Sequence, residues 1–342
     1  MARDPLSSVD SYTTFKGWAL PVLKAHAGDD MDEKCEALYN ECYTRSLHPA
    51  VPPKMVLRNR DLFYGMLSLC NGVGNHKVAA QSYGILNVAG CAMEYRRTLT
   101  ETGIVLSNQA LGASDDYLHV YALDDRDETV NWRVAANVVP VDIPEATRRI
   151  AQVMDHFANV GHFKATAPAD AAKPDSVIVY MLKDGAYAAT RDAVLNALAG
   201  LNIQETFAPM WDELSPGIAV AAEPPQVEGE GGSSFGTYRC LLTAMAFDYA
   251  VQTHAGGQAQ NLTPLDFGGE VDIYFARYGV PNNAPHDQYQ LVIGNQPQVP
   301  AARTAYVSQN QWDAYLRAYA LSKGDPADTY IGQGVDNNPV II

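Results

Sequence analysis

Ser233-Ser234-Phe235-Gly236-Thr237-Tyr238-Arg239-Cys240 follows an acidic, glycine-rich stretch, Glu228 to Gly232, and leads into the apolar run Leu241 to Phe247. The run predicts a helix, and a serine just ahead of it caps such a helix by accepting a hydrogen bond from a first-turn N–H. The start of that helix gathers free N–H groups, a hydroxyl and the Arg239 guanidinium on one small surface, which suits a phosphate. Ser234 and Gly236 are therefore candidate phosphate contacts beside Arg239. The same residues also make an ordinary capped helix with a solvated arginine, and both readings stand at this level.

His162-Phe163-Lys164 is the second constellation. In a strand, residues i and i+2 share a face. His162 and Lys164 then project together, and Phe163 enters the core. A lysine beside an imidazole makes a base–acid pair; the alternative is the polar face of a sheet. Arg133 lies between Trp132 and Val134, so alternation turns it away from both, toward solvent or a cleft. Other chemistry-bearing patterns are missing. Gly72-Val73-Gly74 is no dinucleotide fingerprint, and there is no Walker loop, HExxH or GxSxG. His254 and His286 stand alone and are expected at the surface.

A chain of 342 residues, 47% hydrophobic, is long enough for a substantial core in one or two domains. Its net charge of −15 argues against nucleic-acid binding, which calls for a basic face, and would attract a basic partner. No apolar run approaches the roughly 20 residues that span a bilayer, so no membrane partner is expected. The N-terminus lacks a signal-peptide core. Five scattered cysteines without CxxC spacing argue against a zinc site or a disulfide framework. The expected setting is reduced and cytoplasmic.

The elements that must position these residues follow from periodicity. Residues 8–48 read as helical, with Tyr39 and Tyr43 on one face at i and i+4. A second helix is expected over Leu57 to Leu69, and short strands and hairpins between Ser82 and Leu111. Tyr117–Leu123, Val130–Val138, Phe163–Ala167 and Ser176–Met181 read as strands, the last buried on both faces. Helices are expected over Glu145–Phe157, behind Pro144, and over Ala188–Leu198. Asp124 to Glu128 reads as a solvated turn and Pro209 to Pro225 as irregular. The helix through Arg239 should reach Ala255. Glu270–Tyr278 is a strand or a short helix, Gln309–Ser322 is a helix, and Gly332–Ile342 is a loosely held tail. The 19 tyrosines are expected at core edges, or in part along a peptide groove. This order predicts an α+β architecture. It divides into an N-terminal helical and short-strand region, 1–112, and an α+β domain, 113–342.

Taken together, the pieces resemble the HopA-type family of type III effectors and their relatives in peptide natural-product clusters. The resemblance runs through Leu38-Tyr39 to Tyr43, Leu67 to Gly72, Trp132-Arg133-Val134 to Pro140, Phe163-Lys164, Asp175 to Tyr180, Pro216 to Ala219, and Ser234-Phe235-Gly236 with Arg239-Cys240. It implies a phosphothreonine-lyase-like fold: a twisted sheet with flanking helices and a mainly helical N-terminal region. For the biosynthetic members it implies elimination of phosphate from phosphoserine or phosphothreonine of a ribosomal precursor peptide, leaving dehydroalanine or dehydrobutyrine. This resembles the dehydration step of class V lanthipeptide and thioamitide pathways, in which a partner kinase adds the phosphate. The roles it implies are Lys164 as base, His162 as acid, and Arg239, Arg133, Ser234 and Gly236 on phosphate. Asp175, Tyr180 and Lys173 would give support. Lyases of the OspF type are similar in pairing lysine and histidine two residues apart, but here histidine comes first, and Pro174 stands where the family often carries arginine. No metal and no redox cofactor are implied. The alternatives are a non-catalytic subunit that binds a peptide or kinase, and a secreted effector lyase acting on a host phosphoprotein; no serine-rich N-terminal secretion segment is evident.

Overall fold

The computed structural model describes residues 5, 7–44, 76–80, 117–122, 130–166, 174–228, 234–299 and 301–336. The expected helix Leu57–Leu69, the short strands between Ser82 and Leu111, the turn Asp124 to Glu128, Lys173 and the boundary at 112/113 lie outside them.

The helical pattern of the first residues folds as α1, Ser8–Ala25, and α2, Met31–Leu38. Ser7 caps α1 by accepting from the N–H of Asp10, and a reciprocal capping box joins Asp30 and Glu33 at the start of α2. From α2 the chain enters a π-helical turn, Tyr39–Tyr43, closed by Thr44 N–H on the Tyr39 carbonyl at 2.9 Å. Then follow β1 (His76–Ala80), β2 (Tyr117–Ala122), β3 (Trp132–Ala136), α3 (Ile143–His156), β4 (Val160–Thr166), β5 (Val177–Met181) and α4 (Tyr187–Leu198). Next come β6 (Asp212–Ser215), β7 (Ile218–Ala222), β8 (Gln226–Val227), α5 (Phe235–His254) and α6 (Pro264–Arg277). The chain ends with β9 (Gln290–Ile293), β10 (Thr304–Val307), α7 (Gln309–Leu321) and β11 (Val335–Asp336).

Seven strands form one sheet in the order β1-β2-β4-β5-β3-β7-β6, antiparallel throughout. The fold is α+β, with helices on both faces. On one face Val134, Phe163, Val179 and Val220 pack with Ile150 and Met154 of α3 and Val194 and Leu198 of α4. On the other, Ala135, Ile178, Tyr180, Ala219 and Ala221 join a larger core that includes residues of α1, α2, α5, α6 and α7. α5 lies at the centre of that layer. Its run from Tyr238 to Phe247 is buried without a break, as expected of a helix apolar on all sides.

Three sequence expectations change. Residues 209–225 are not irregular: Pro216-Gly217 turns a β6–β7 hairpin, in which Gly217 takes φ +81° and a Cβ would overlap the Gln204 carbonyl. β7 gave no alternation to read because Ile218 to Ala222 are buried on both faces. The segment around Glu270–Tyr278 is a longer helix that begins at Pro264 behind a Thr263 cap. The tail is held in part, since Val335 and Asp336 pair with Val227 and Gln226. β1 and the parallel pair β9–β10 carried no clear signal. Among the described residues, no helix is long and apolar enough to cross a membrane.

Gly236, in the first turn of α5, lies directly beneath the Tyr43 ring, which a Cβ would overlap. Gly236→Ala is expected to cost about 1–3 kcal/mol, as overpacking does. Gly17→Ala and Gly268→Ala, on helix faces with nothing within 4 Å, should be neutral or stabilising. Thermal melts of the three variants check this contrast.

Candidate active site

Three adjacent strands build the site. Register places His162 of β4 opposite Tyr180 of β5, and Tyr180 opposite Arg133 of β3, so the three form one row on one sheet face. Lys164, two residues beyond His162, occupies the next row, opposite Ile178. Phe163 points the other way and is fully buried, as alternation predicts. A bulge between Val160 and His162 makes Gly161 an extra residue in β4. Val160 thereby stays in the α3–α4 core while His162 turns to the opposite face.

Tyr180 is the hub of the row. The His162 ring stacks on it at 3.9 Å, with 14° between planes. Lys164 Nζ lies 5.8 Å, and Arg133 Cζ 5.0 Å, from the Tyr180 ring centroid. Arg133 also lies 5.9 Å from the rings of both Trp211 and Phe235. Arg239 Cζ sits 3.8 Å from the Phe235 ring. Lys164, Arg133 and Arg239 are thus strung along two aromatic rings, Tyr180 and Phe235. Such cation–ring contacts each contribute about 0.5–2 kcal/mol.

Neither arginine is solvated. Arg133 is buried and paired bidentately with Glu223, through Nε and Nη2 on the two carboxylate oxygens. Burial pulls its pKa down, but the Glu223 carboxylate outweighs this and the net shift is upward. The cleft-facing orientation inferred from alternation is right about the face, but buried side chains cover that face. Arg239 is 0% exposed and has no carboxylate partner among the described residues. Its Nη2 donates to the carbonyls of Pro285 and Asp287 at 3.3 and 3.0 Å, and Nε and Nη1 have no acceptor among the described residues. Burial is the main cause of its pKa falling to about 10, and Arg133 lowers it further. The solvated-arginine reading of Arg239 is therefore corrected.

The Ser234 hydroxyl caps α5, accepting from the Thr237 N–H at 3.3 Å and bonding the Thr237 hydroxyl at 2.8 Å. Tyr43, beside Gly236, accepts from Trp211 Nε1 at 2.7 Å. Asp175, just ahead of β5, is close enough to Tyr39 and Tyr43 to raise both phenols, although burial is the larger cause in each. His254 meets Glu270 at 2.8 Å near the surface. His286 is partly buried, contrary to expectation, and its Nδ1 bonds the Ser8 hydroxyl at 2.8 Å.

Glu223, Trp211 and Phe235 were not singled out as functional from sequence. Glu223 alone carried a signal: a carboxylate directly after the buried Ile218–Ala222 run needs a partner. Tyr39 and Tyr43 were visible as a helix face but not as neighbours of Arg133.

The arrangement is a row of cationic and aromatic side chains on one face of an α+β sheet. Residues 107–268 match the HopA1 effector protein family. The fold is similar to that of the effector protein from Pseudomonas syringae pv. syringae strain 61, with 18% identity and a TM-score of 0.57 over 83% of this chain and 100% of that one. It is likewise similar to the effector protein from Pseudomonas syringae pv. tomato strain DC3000, with 14% identity and a TM-score of 0.54 over 83% and 99%. No curated protein matches the chain.

The two buried arginines should respond oppositely to substitution. Glu223→Ala strands a buried guanidinium and is expected to cost about 3–5 kcal/mol. Arg239→Met removes a cation that is fully charged and uncompensated at neutral pH. For a basic group whose folded pKa lies below its ordinary value, stability rises with pH only between about 10 and 12.5, where the unfolded chain binds more protons. Below pH 10 the charge is a net cost, so Arg239→Met should hold or raise the melting temperature at pH 7. A fall like that of Glu223→Ala would overturn this.

Proposed function

We propose that the chain is a phosphoserine/phosphothreonine lyase that eliminates phosphate from a peptide segment. The observation that carries this reading is the gathering of Lys164, His162 and Arg133 around the Tyr180 ring, with Arg239 behind Phe235. Lys164, in its neutral form, takes the substrate Cα proton. The electron pair forms the Cα–Cβ double bond, and the Cβ–O bond breaks. His162 protonates the departing oxygen. Phosphate charge is present in the ground state and grows on departure, so fixed cations favour both binding and the step.

Arg133 is the nearer fixed cation, with one edge of its guanidinium held by Glu223. Arg239 acts from the second layer and adds positive potential. Its uncompensated burial is a stability cost that this role would account for. The α5 start, with Ser234 and Gly236, adds its helix-dipole field. Asp175 and Tyr180 orient the row in this scheme. The chemistry calls for neither metal nor redox cofactor.

A ribosomal precursor peptide, phosphorylated by a partner kinase, is the first substrate class. A host phosphoprotein is the second, favoured by the fold shared with proteins described as effectors. The proposed location is the cytoplasm in which the substrate is phosphorylated. Mass spectrometry of phosphorylated peptides and proteins tests the reaction directly. Each elimination removes about 98 Da, the mass of phosphoric acid, whereas hydrolysis removes about 80 Da. Intact phosphorylated substrates after incubation with the wild-type chain would refute the proposal and favour a binding subunit. Lys164→Ala should keep phosphopeptide affinity within about twofold while losing at least about a thousandfold in rate, because its group acts in the transition state. Arg133→Met should lose both. Equal loss of binding in the two variants would make Lys164 a phosphate ligand instead.

A further inference from the structure

The π-helical turn has a geometry that the lyase reading does not use. One extra residue per turn brings Tyr39 and Tyr43 over one another, with ring centroids 5.2 Å apart and planes 28° apart. The two tyrosines are otherwise unlike. Tyr43 is buried, sits on Gly236 and has its hydroxyl engaged by Trp211. It is the anchor of the turn. Tyr39 is only partly buried, and among the described residues its hydroxyl has no hydrogen-bond partner. That phenol lies within electrostatic reach of Asp175, Arg133 and Tyr180. Burial first, then Asp175, holds it in the protonated, donor form. π-Turns of this kind recur at functional sites because they aim a side chain that a regular helix would place elsewhere.

We infer that Tyr39 is a phosphate ligand of the same site, its hydroxyl donating to a non-bridging oxygen of a phosphoserine or phosphothreonine substrate held by Arg133. The inference rests on the lyase reading for the identity of the substrate. It adds a residue and an element to the site: the anion is bound between the sheet row and the turn after α2, and recognition requires both layers. The rigid Tyr43–Gly236–Trp211 contact fixes where the Tyr39 hydroxyl sits, so the donor is oriented before substrate arrives.

The test uses the full chain and the probe acetyl-Ala-phosphothreonine-Ala-amide. Its affinity is measured by calorimetry in the Lys164→Ala background, which separates binding from turnover. Adding Tyr39→Phe should weaken binding about ten- to hundredfold, the effect of removing one hydrogen bond to a charged group. The melting temperature should stay put, since the ring remains and no described partner is lost. The unphosphorylated peptide should bind both variants equally weakly. Unchanged phosphopeptide affinity in Tyr39→Phe overturns the assignment, whatever the wild-type chain catalyses. A Tyr39-dependent affinity in a chain whose wild type eliminates no phosphate would uphold Tyr39 as a ligand and overturn the lyase reading. Absence of measurable phosphopeptide binding overturns both.

Discussion

Arg133 is a long cation placed on an interior strand of an antiparallel sheet and covered by a helical layer. A charge in that position is stable only if it is paired and given room. Room comes from alanines: Ala135 follows on the same face of β3, and Ala221 and Ala219 lie opposite them on β7. The pair comes from Glu223, the first residue beyond β7, whose N–H is fixed on the Asn131 carbonyl at 3.0 Å. The β6–β7 hairpin, the small residues along β7 and the aromatic cover of Tyr180, Trp211 and Phe235 all serve the burial of this guanidinium. The hairpin has a second constraint of its own, the left-handed Gly217 packed against Gln204.

The helical layer is fitted to that row from above. Tyr43 reaches Trp211 by passing so close to α5 that only glycine is tolerated at 236. The contact ties the turn after α2 to the first turn of α5, and hence to Phe235, the ring that separates Arg133 from Arg239. Arg239 conflicts with its surroundings: a guanidinium at 0% exposure that, among the described residues, has two donors unmet and no carboxylate paired with it. Local violations of this kind concentrate where function opposes stability. The other buried arginine, Arg133, has its carboxylate in place, so this chain can compensate a buried guanidinium.

The two Pseudomonas effector structures share this fold at 18% and 14% identity. At such identity the common property is the sheet and its helical cover, and a fold by itself does not specify chemistry. The proposed elimination therefore stands on the side chains themselves: a lysine and a histidine on one face, a paired arginine beside them, and an aromatic hub that sets their spacing.

The sequence by itself determined the elements with strong local signals. The β2, β3, β4 and β5 runs, the two helices α3 and α4, and the capped helices α5 and α7 were legible because each carries its own periodicity or cap. So was the shared face of His162 and Lys164, which needs only the two-residue repeat of a strand. The β6–β7 hairpin and α6 were misread or left open because burial on both sides erases alternation and because a short apolar run fits helix and strand alike. What only the tertiary structure decided is the company these residues keep. Strand order brings β5 between β4 and β3, although β3 comes first in the chain, and so sets Tyr180 between His162 and Arg133. Pairing of Arg133 with Glu223, 90 residues away, and the meeting of Tyr43 with Trp211 and Gly236 depend on long-range packing that no local window contains. Local free energies act over a few residues and can be read in order along the chain. The compensation of buried charge acts through space, so it becomes visible only once the chain has folded.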